Sequence, residues 1–149
     1  MKRVSEENLV VLLAKSKVKS ETNVSAIYFD GSCPLCSFEI QYYKSQAGGE
    51  EINFVDVSLE NTPPVDGLSL ESAMRRFHVK TINGEILSGS KAFVAVWGSL
   101  HRWRWAARLA RIPGCLILLE AVYRVFLPAR PMLSRIASFL GAKAANSRT

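Results

Sequence analysis

The chain has 149 residues, 48% hydrophobic and 21% charged, a single-domain length with enough apolar side chains to exclude a mainly disordered, collagen-like or low-complexity protein. Three cysteines are an odd number and few for the length, which excludes a disulfide-stapled secreted scaffold and leaves any cysteine chemistry local. The net charge of +6 hides an asymmetry: residues 1–99 carry ten basic and twelve acidic side chains, whereas 100–149 carry nine basic ones and a single acid, Glu120.

In residues 1–22 the apolar stretch Leu9 to Ala14 follows Glu6 and Glu7 and runs into Lys15, Lys17 and Lys19. It is too short for a secretory signal, and the segment reads as a flexible N-terminal extension. The domain is expected over 23–140, with a frayed tail over 141–149. The most apolar segment, Cys115 to Leu127, contains Glu120 and Arg124 and is too short and too charged to span a bilayer. The expected address is the cytoplasm, where a close cysteine pair is more often catalytic or metal-binding than a stable disulfide.

Val24 to Phe29 is a β-rich apolar run ended by Asp30-Gly31, a buried strand leading into a turn. Pro34 follows Cys33, and Phe38, Ile40, Tyr42 and Tyr43 recur at helical spacing up to Gly48-Gly49. Proline suits the first helical position and glycine the residue past the end, so a helix is predicted over about 34–47 with Cys33 at its N-cap. Ile52 to Val57 is a second strand, parallel to the first because a helix-length crossover joins them. A loop with Pro63-Pro64 precedes a short helix near Ser69 to Phe77. Strands at Val79 to Ile82 and Glu85 to Leu87 flank Asn83-Gly84, a strong hairpin signal. Ala92, Phe93, Val96, Trp97 and Leu100 predict a helix capped by Ser90, and Leu116 to Leu127 another, stopped by Pro128 and Pro131. The order implies an α/β domain whose mixed sheet is flanked by helices, with extra helices at the C-terminal end.

Cys33-Pro34-Leu35-Cys36 carries clear chemistry. One helical turn brings two such sulfurs within disulfide reach. At the N-cap, unpaired backbone donors and the helix dipole favour a thiolate at Cys33, the species that attacks disulfides. Cys33 is therefore the expected nucleophile, and Cys36, one turn inside and more shielded, the resolving thiol. Two packed core thiols or half a zinc site are the alternatives; zinc would need more ligands from Cys115, His78 and His101, none in a paired spacing.

Phe29-Asp30-Gly31-Ser32-Cys33-Pro34-Leu35-Cys36 resembles the signature of the DCC family of predicted thiol-disulfide oxidoreductases, and the likeness extends over about residues 24–131. The resemblance implies a thioredoxin-like fold and makes Asp30, Cys33 and Cys36 the motif positions. Thioredoxins proper place a proline just before the third strand, facing the cysteines. The corresponding region, Arg75 to Val79, has none, so docking along that edge is expected to differ.

Asp30 has two readings, a proton acceptor for the resolving thiol or a turn residue that accepts backbone N–H groups at the helix start. Cys115 reads as a small buried apolar residue, and His78 and His101 as boundary residues. His101-Arg102-Trp103-Arg104-Trp105, with Arg108 and Arg111, reads first as a helix whose tryptophans pack inward under a basic exterior. Contact of Arg102, Trp103, Arg104 and Trp105 with a membrane surface or an acidic protein comes next, and nucleic acid last. The sequence thus points to a thiol–disulfide oxidoreductase of the protein-disulfide reductase type without bound cofactor or metal, acting on a protein or small-molecule disulfide and reset by an external thiol reductant. The competing reading is a non-catalytic interaction module built on the basic C-terminal helices.

Overall fold

A computed structural model describes residues 24–62, 65 and 67–145. The expected N-terminal extension lies outside the described residues, as do Pro63, Pro64 and Asp66 of the loop and the last four residues of the tail.

Four strands, β1 (Val24–Phe29), β2 (Asn53–Asp56), β3 (His78–Thr81) and β4 (Ile86–Ser88), form one sheet in the order β2-β1-β3-β4. β1 and β2 are parallel, with Ile27 opposite Phe54, and the other neighbours are antiparallel. The helix α1 (Pro34–Lys44) makes the crossover between the parallel pair. Successive side chains of β1 point to opposite faces, and both faces are covered, so the strand reads as an unbroken apolar run. Ile27 and Phe29 pack with Ile40 and Tyr43 of α1 and with Ala92, Val96 and Leu100, the last at the end of helix α3 (Ser90–Ser99). Ala26 and Tyr28 turn to the other side, against Ala73 of helix α2 (Leu70–Arg75) and Val57. Ile27, Val79, Val96 and Leu100 are completely shielded from water, each contributing about 2 kcal/mol. This is the thioredoxin-like mixed sheet with flanking helices. The Asn83-Gly84 turn closes β3 and β4, with Gly84 at φ 86° and the Thr81 amide bonded to the Glu85 carbonyl at 2.9 Å.

Three element ends differ from the sequence-based expectation. α1 stops at Lys44 rather than Ala47, because the Ser45 hydroxyl caps the Tyr42 carbonyl at 2.7 Å before Gly48 turns the chain at φ 98°. α3 is capped by Gly89, not Ser90: Ser90 directs both its amide and its hydroxyl to Glu120 (3.1 and 2.9 Å). The largest difference lies beyond the short helix α4 (Arg104–Leu109). Helix α5 runs over Cys115–Phe139, straight through Pro128 and Pro131. A proline removes one helical hydrogen bond and crowds the carbonyl four residues back. Both prolines are exposed, so the affected backbone is on the solvent side, while the opposite side of the helix keeps its contacts with the domain. α5 ends in a Schellman turn, with the Ala142 amide bonded to the Ala137 carbonyl at 2.9 Å and Gly141 at φ 96°. Further along, the Ala145 amide meets the Gly31 carbonyl and Ser37 Oγ, both at 3.0 Å.

α5 is held to the sheet by an acid-centred cluster. Glu120 accepts from Arg76 Nη2 at 2.7 Å and from Ser90, and the Tyr123 hydroxyl accepts the Phe77 amide at 3.0 Å. That amide lies in the proline-free stretch Arg75 to Val79, and α5 uses it. The Ser90 amide first, then the Ser90 hydroxyl and Arg76, draw the Glu120 carboxyl down from 4.5 to about 2. A carboxyl depressed by folding contributes stability that is fully present above its unfolded value and lost as pH falls through the folded one. Glu120→Gln is therefore expected to cost about 1–2 kcal/mol at neutral pH and to flatten the loss of stability between about pH 4.5 and 2. Thermal unfolding across that range checks it, and an unchanged acid slope would refute the assignment.

Candidate active site

The site forms where β1 ends and α1 begins. Gly31 fits there because a Cβ would run into the Asp56 carboxylate, which accepts the Gly31 amide at 2.9 Å. Cys33 is the N-cap of α1 with Pro34 next to it, as the sequence predicts, and its sulfur accepts the Cys36 amide at 3.5 Å. The same sulfur and the Ser134 hydroxyl of α5 are hydrogen-bonded at 3.6 Å. Cys33 is only 8% exposed, whereas Cys36 is half-buried. α5 covers the N-cap, yet Cys36 faces the enclosed cavity beneath the pair and Cys33 the open cleft, in keeping with Cys36 as the deeper sulfur.

The Cys33 thiol is lowered from 9.0 to about 5. The foremost cause is the Cys36 thiol, which gives it a hydrogen bond; the Cys36 amide, the Ser134 hydroxyl and the Arg130 charge add to this and outweigh burial. Cys36 moves strongly the other way, since its proton is held by the Cys33 sulfur and burial opposes its charge. One sulfur of the pair is thus a thiolate at neutral pH and the other a thiol, the division of labour that disulfide exchange needs.

Asp30 sits beside them, and both its oxygens are engaged. Oδ1 accepts the Ser32 amide (3.0 Å) and hydroxyl, and Oδ2 accepts Arg130 Nη2 at 3.0 Å. The Asp30 and Arg130 side chains are 14% and 17% exposed. Arg130 also donates to the Met74 carbonyl at 3.2 Å, so one guanidinium ties α5 to α2 and to the end of β1. Burial works against its charge, but the two sulfurs and Asp30 prevail and hold it firmly protonated.

Beneath the pair lies a cavity of about 40 Å³, lined by Asp30, Cys36, Glu39 and Arg130 among others and large enough for a bridging water. Glu39, one turn beyond Cys36 on α1, accepts the Tyr43 hydroxyl at 2.6 Å. Burial first, and the nearby Cys33 charge, push its carboxyl above the usual range. On the outer side, Cys33 opens onto a cleft of about 530 Å³ walled by Arg75, Arg76, Leu127, Arg130 and Pro131.

Arg130, Ser134 and Glu39 were not legible as site residues. Arg130 and Ser134 arrive from α5, 100 and 101 residues away from their partners, in a stretch expected to lie past the proline stop of its helix. The available signal for Glu39 was its helical spacing from Cys36. The other candidates do not join the site. Nδ1 of His78 is hydrogen-bonded to the Arg76 carbonyl and Nδ1 of His101 to the Ala47 carbonyl, and Cys115 begins α5. Among the described residues no three His, Cys, Asp or Glu side chains gather as a metal site. Trp103 stacks between Trp97 and Trp105 at 5.9 and 6.3 Å and donates to the Tyr42 hydroxyl at 3.2 Å, which is the inward-packed reading; Trp105 is exposed.

Fold and site together define a thioredoxin-like α/β domain with a CxxC pair at a strand-to-helix junction. The chain belongs to the DCC1-like thiol-disulfide oxidoreductase family, whose model matches residues 27–136. It is also similar to an uncharacterized chloroplastic protein of Arabidopsis thaliana, with 28% identity over 102 residues, 66% of this chain and 47% of that protein. The chain thus spans about half the length of that relative. No solved structure gives a significant match.

Proposed function

We propose that the protein is a thiol–disulfide oxidoreductase of the protein-disulfide reductase type, with Cys33 attacking and Cys36 resolving. The observation that carries this is the polarised pair: Cys33 receives donors from Cys36 and Ser134 beside the Arg130 charge and is lowered to about 5, while Cys36 keeps its proton. In the first step the Cys33 thiolate attacks a substrate disulfide, forming a mixed disulfide and releasing one substrate thiolate, which takes a proton from solvent. Cys36 then gives up its proton and attacks the Cys33 sulfur, closing the Cys33–Cys36 disulfide and expelling the second substrate thiol. The substrate gains two electrons, the dithiol loses two, and an external thiol reductant resets the pair.

The proton of Cys36 needs an acceptor. Both oxygens of Asp30 are committed to Ser32 and Arg130, which supports its turn-holding role. Glu39 shares the small cavity with Cys36, and burial makes its carboxylate more basic than usual, as a proton acceptor needs.

With a disulfide-bonded peptide as probe, Cys36→Ser is expected to accumulate a covalent adduct at Cys33 that added thiol releases. Glu39→Gln is expected to slow the second step and leave alkylation of Cys33 unchanged. If Cys36→Ser forms no adduct and oxidised glutathione produces no Cys33–Cys36 disulfide in the unaltered protein, the reading fails.

A further inference from the structure

α5 turns its polar side chains inward and an apolar stripe outward. Glu120, Tyr123, Arg130 and Ser134 face the domain through the bonds described above. Ile117, Leu118, Val125, Met132, Ile136 and Phe139 are left in water, with Ile117 76%, Val125 73% and Phe139 92% exposed. At 100° per residue these six occupy roughly a third of the helix circumference. From Ile117 to Phe139 the stripe runs over about 33 Å of the helix. Arg124 and Arg135 line one edge and are themselves exposed. Trp105, Leu109 and Ile112, also exposed, add apolar surface just before α5, among Arg104, Arg108 and Arg111.

An uncovered stripe of this size calls for an occupant, and charge selects among the candidates. Glu120 is the one acid from residue 100 onward, and it is already bound by Arg76, by Ser90 and, at 3.3 Å, by Arg124, whose guanidinium stays largely in water. A second copy of the chain would set Arg124 and Arg135 among like charges. Residues 1–22 carry five basic and three acidic side chains and fit no better. The occupant is therefore acidic. The stripe offers no hydrogen-bonding side chain that a folded partner could read, only aliphatic and aromatic groups beside arginines whose stems are apolar and whose heads stay wet. No helix among the described residues is long and apolar enough to cross a membrane, which leaves an orientation in the plane of the interface.

We propose that the outer face of α5 binds the surface of an anionic lipid bilayer, with its aliphatic stripe in the headgroup–acyl boundary and its arginines on lipid phosphates. The proposal stands apart from the thiol chemistry, since neither cysteine of the pair lies on this face. The full reduced chain is tested by flotation with phosphatidylcholine vesicles containing about 30% phosphatidylglycerol and with phosphatidylcholine vesicles alone. Binding is expected to the first and to be at least about tenfold weaker to the second, and to weaken in high salt. The double variant Val125→Asp, Met132→Asp is expected to lose at least about tenfold in vesicle affinity while retaining the pH profile of Cys33 alkylation, which shows that it folds. Arg124→Gln with Arg135→Gln is expected to weaken binding to the anionic vesicles alone. The proposal is overturned if the unaltered chain fails to float with anionic vesicles, or if the aspartate variant floats equally well. A dimer abolished by those aspartates, without vesicle binding, overturns it in favour of self-association.

Discussion

Reduced protein is expected to react with iodoacetamide at a rate that climbs through a midpoint near pH 5 and is level by pH 7, and Cys33→Ser is expected to remove this reaction together with all disulfide exchange. At pH 7 a thiol lowered to about 5 is almost wholly ionised, about a hundredfold more than one at 9.0. Nucleophilicity falls as acidity rises, however, by about half a logarithmic unit per unit of pKa. Over this range that offsets most of the gain in attack rate. The larger effect falls on the equilibrium. Stabilising the thiolate stabilises the dithiol form, by about 2.7 kcal/mol at pH 7, which places the reduction potential about 60 mV above that of a pair of ordinary thiols. A pair poised in this way is readily reset by a simple thiol reductant. The same thiolate makes folding of the reduced protein pH-dependent: its stabilising effect is complete above the ordinary thiol value and is lost as pH falls through about 5. Titration in a glutathione buffer, with alkylation followed over pH 3–9, checks both statements. A midpoint near the ordinary thiol value would remove the basis for assigning Cys33 as the nucleophile.

The second large effect belongs to Arg130. Arg130→Met is expected to cost about 3 kcal/mol, because it leaves the mostly buried Asp30 carboxylate without its partner. The same change also breaks the bond to the Met74 carbonyl. It is expected to raise the Cys33 midpoint by on the order of one unit, since a positive charge beside the thiolate is gone. Adding Asp30→Asn to Arg130→Met is expected to restore part of the stability, because no buried charge then stands alone. Denaturant unfolding of the two single variants and the double variant measures the coupling. Additive losses would show that Arg130 acts by packing rather than by charge.

Much of this architecture is written locally. The N-cap at Cys33, the Pro34 start of α1, the parallel pair and the Asn83-Gly84 hairpin each depend on a few neighbouring residues with one preferred geometry, so pattern reading finds them. The half of the site contributed by α5 is of another kind. Pro128 and Pro131 are helix stops by local rule, and what overrides them is the docking of Tyr123, Arg130 and Ser134 on the far side of the helix, which no local pattern encodes. Charge composition was misleading in the same way. Arg130 belongs by sequence to the strongly basic last third of the chain and by structure to a mostly buried ion pair.

The bonds from Arg130 to Asp30 and from Ser134 to Cys33 join residues 100 and 101 positions apart. Contacts that close so long a loop cannot form until the last helix has left the ribosome and docked. Until then Cys33 lacks the hydroxyl and the guanidinium that help to hold its negative charge. The donors from Cys36 lie on the same turn of α1 and act without that docking, so the arrival of α5 only completes an acidity that the first helix has already begun.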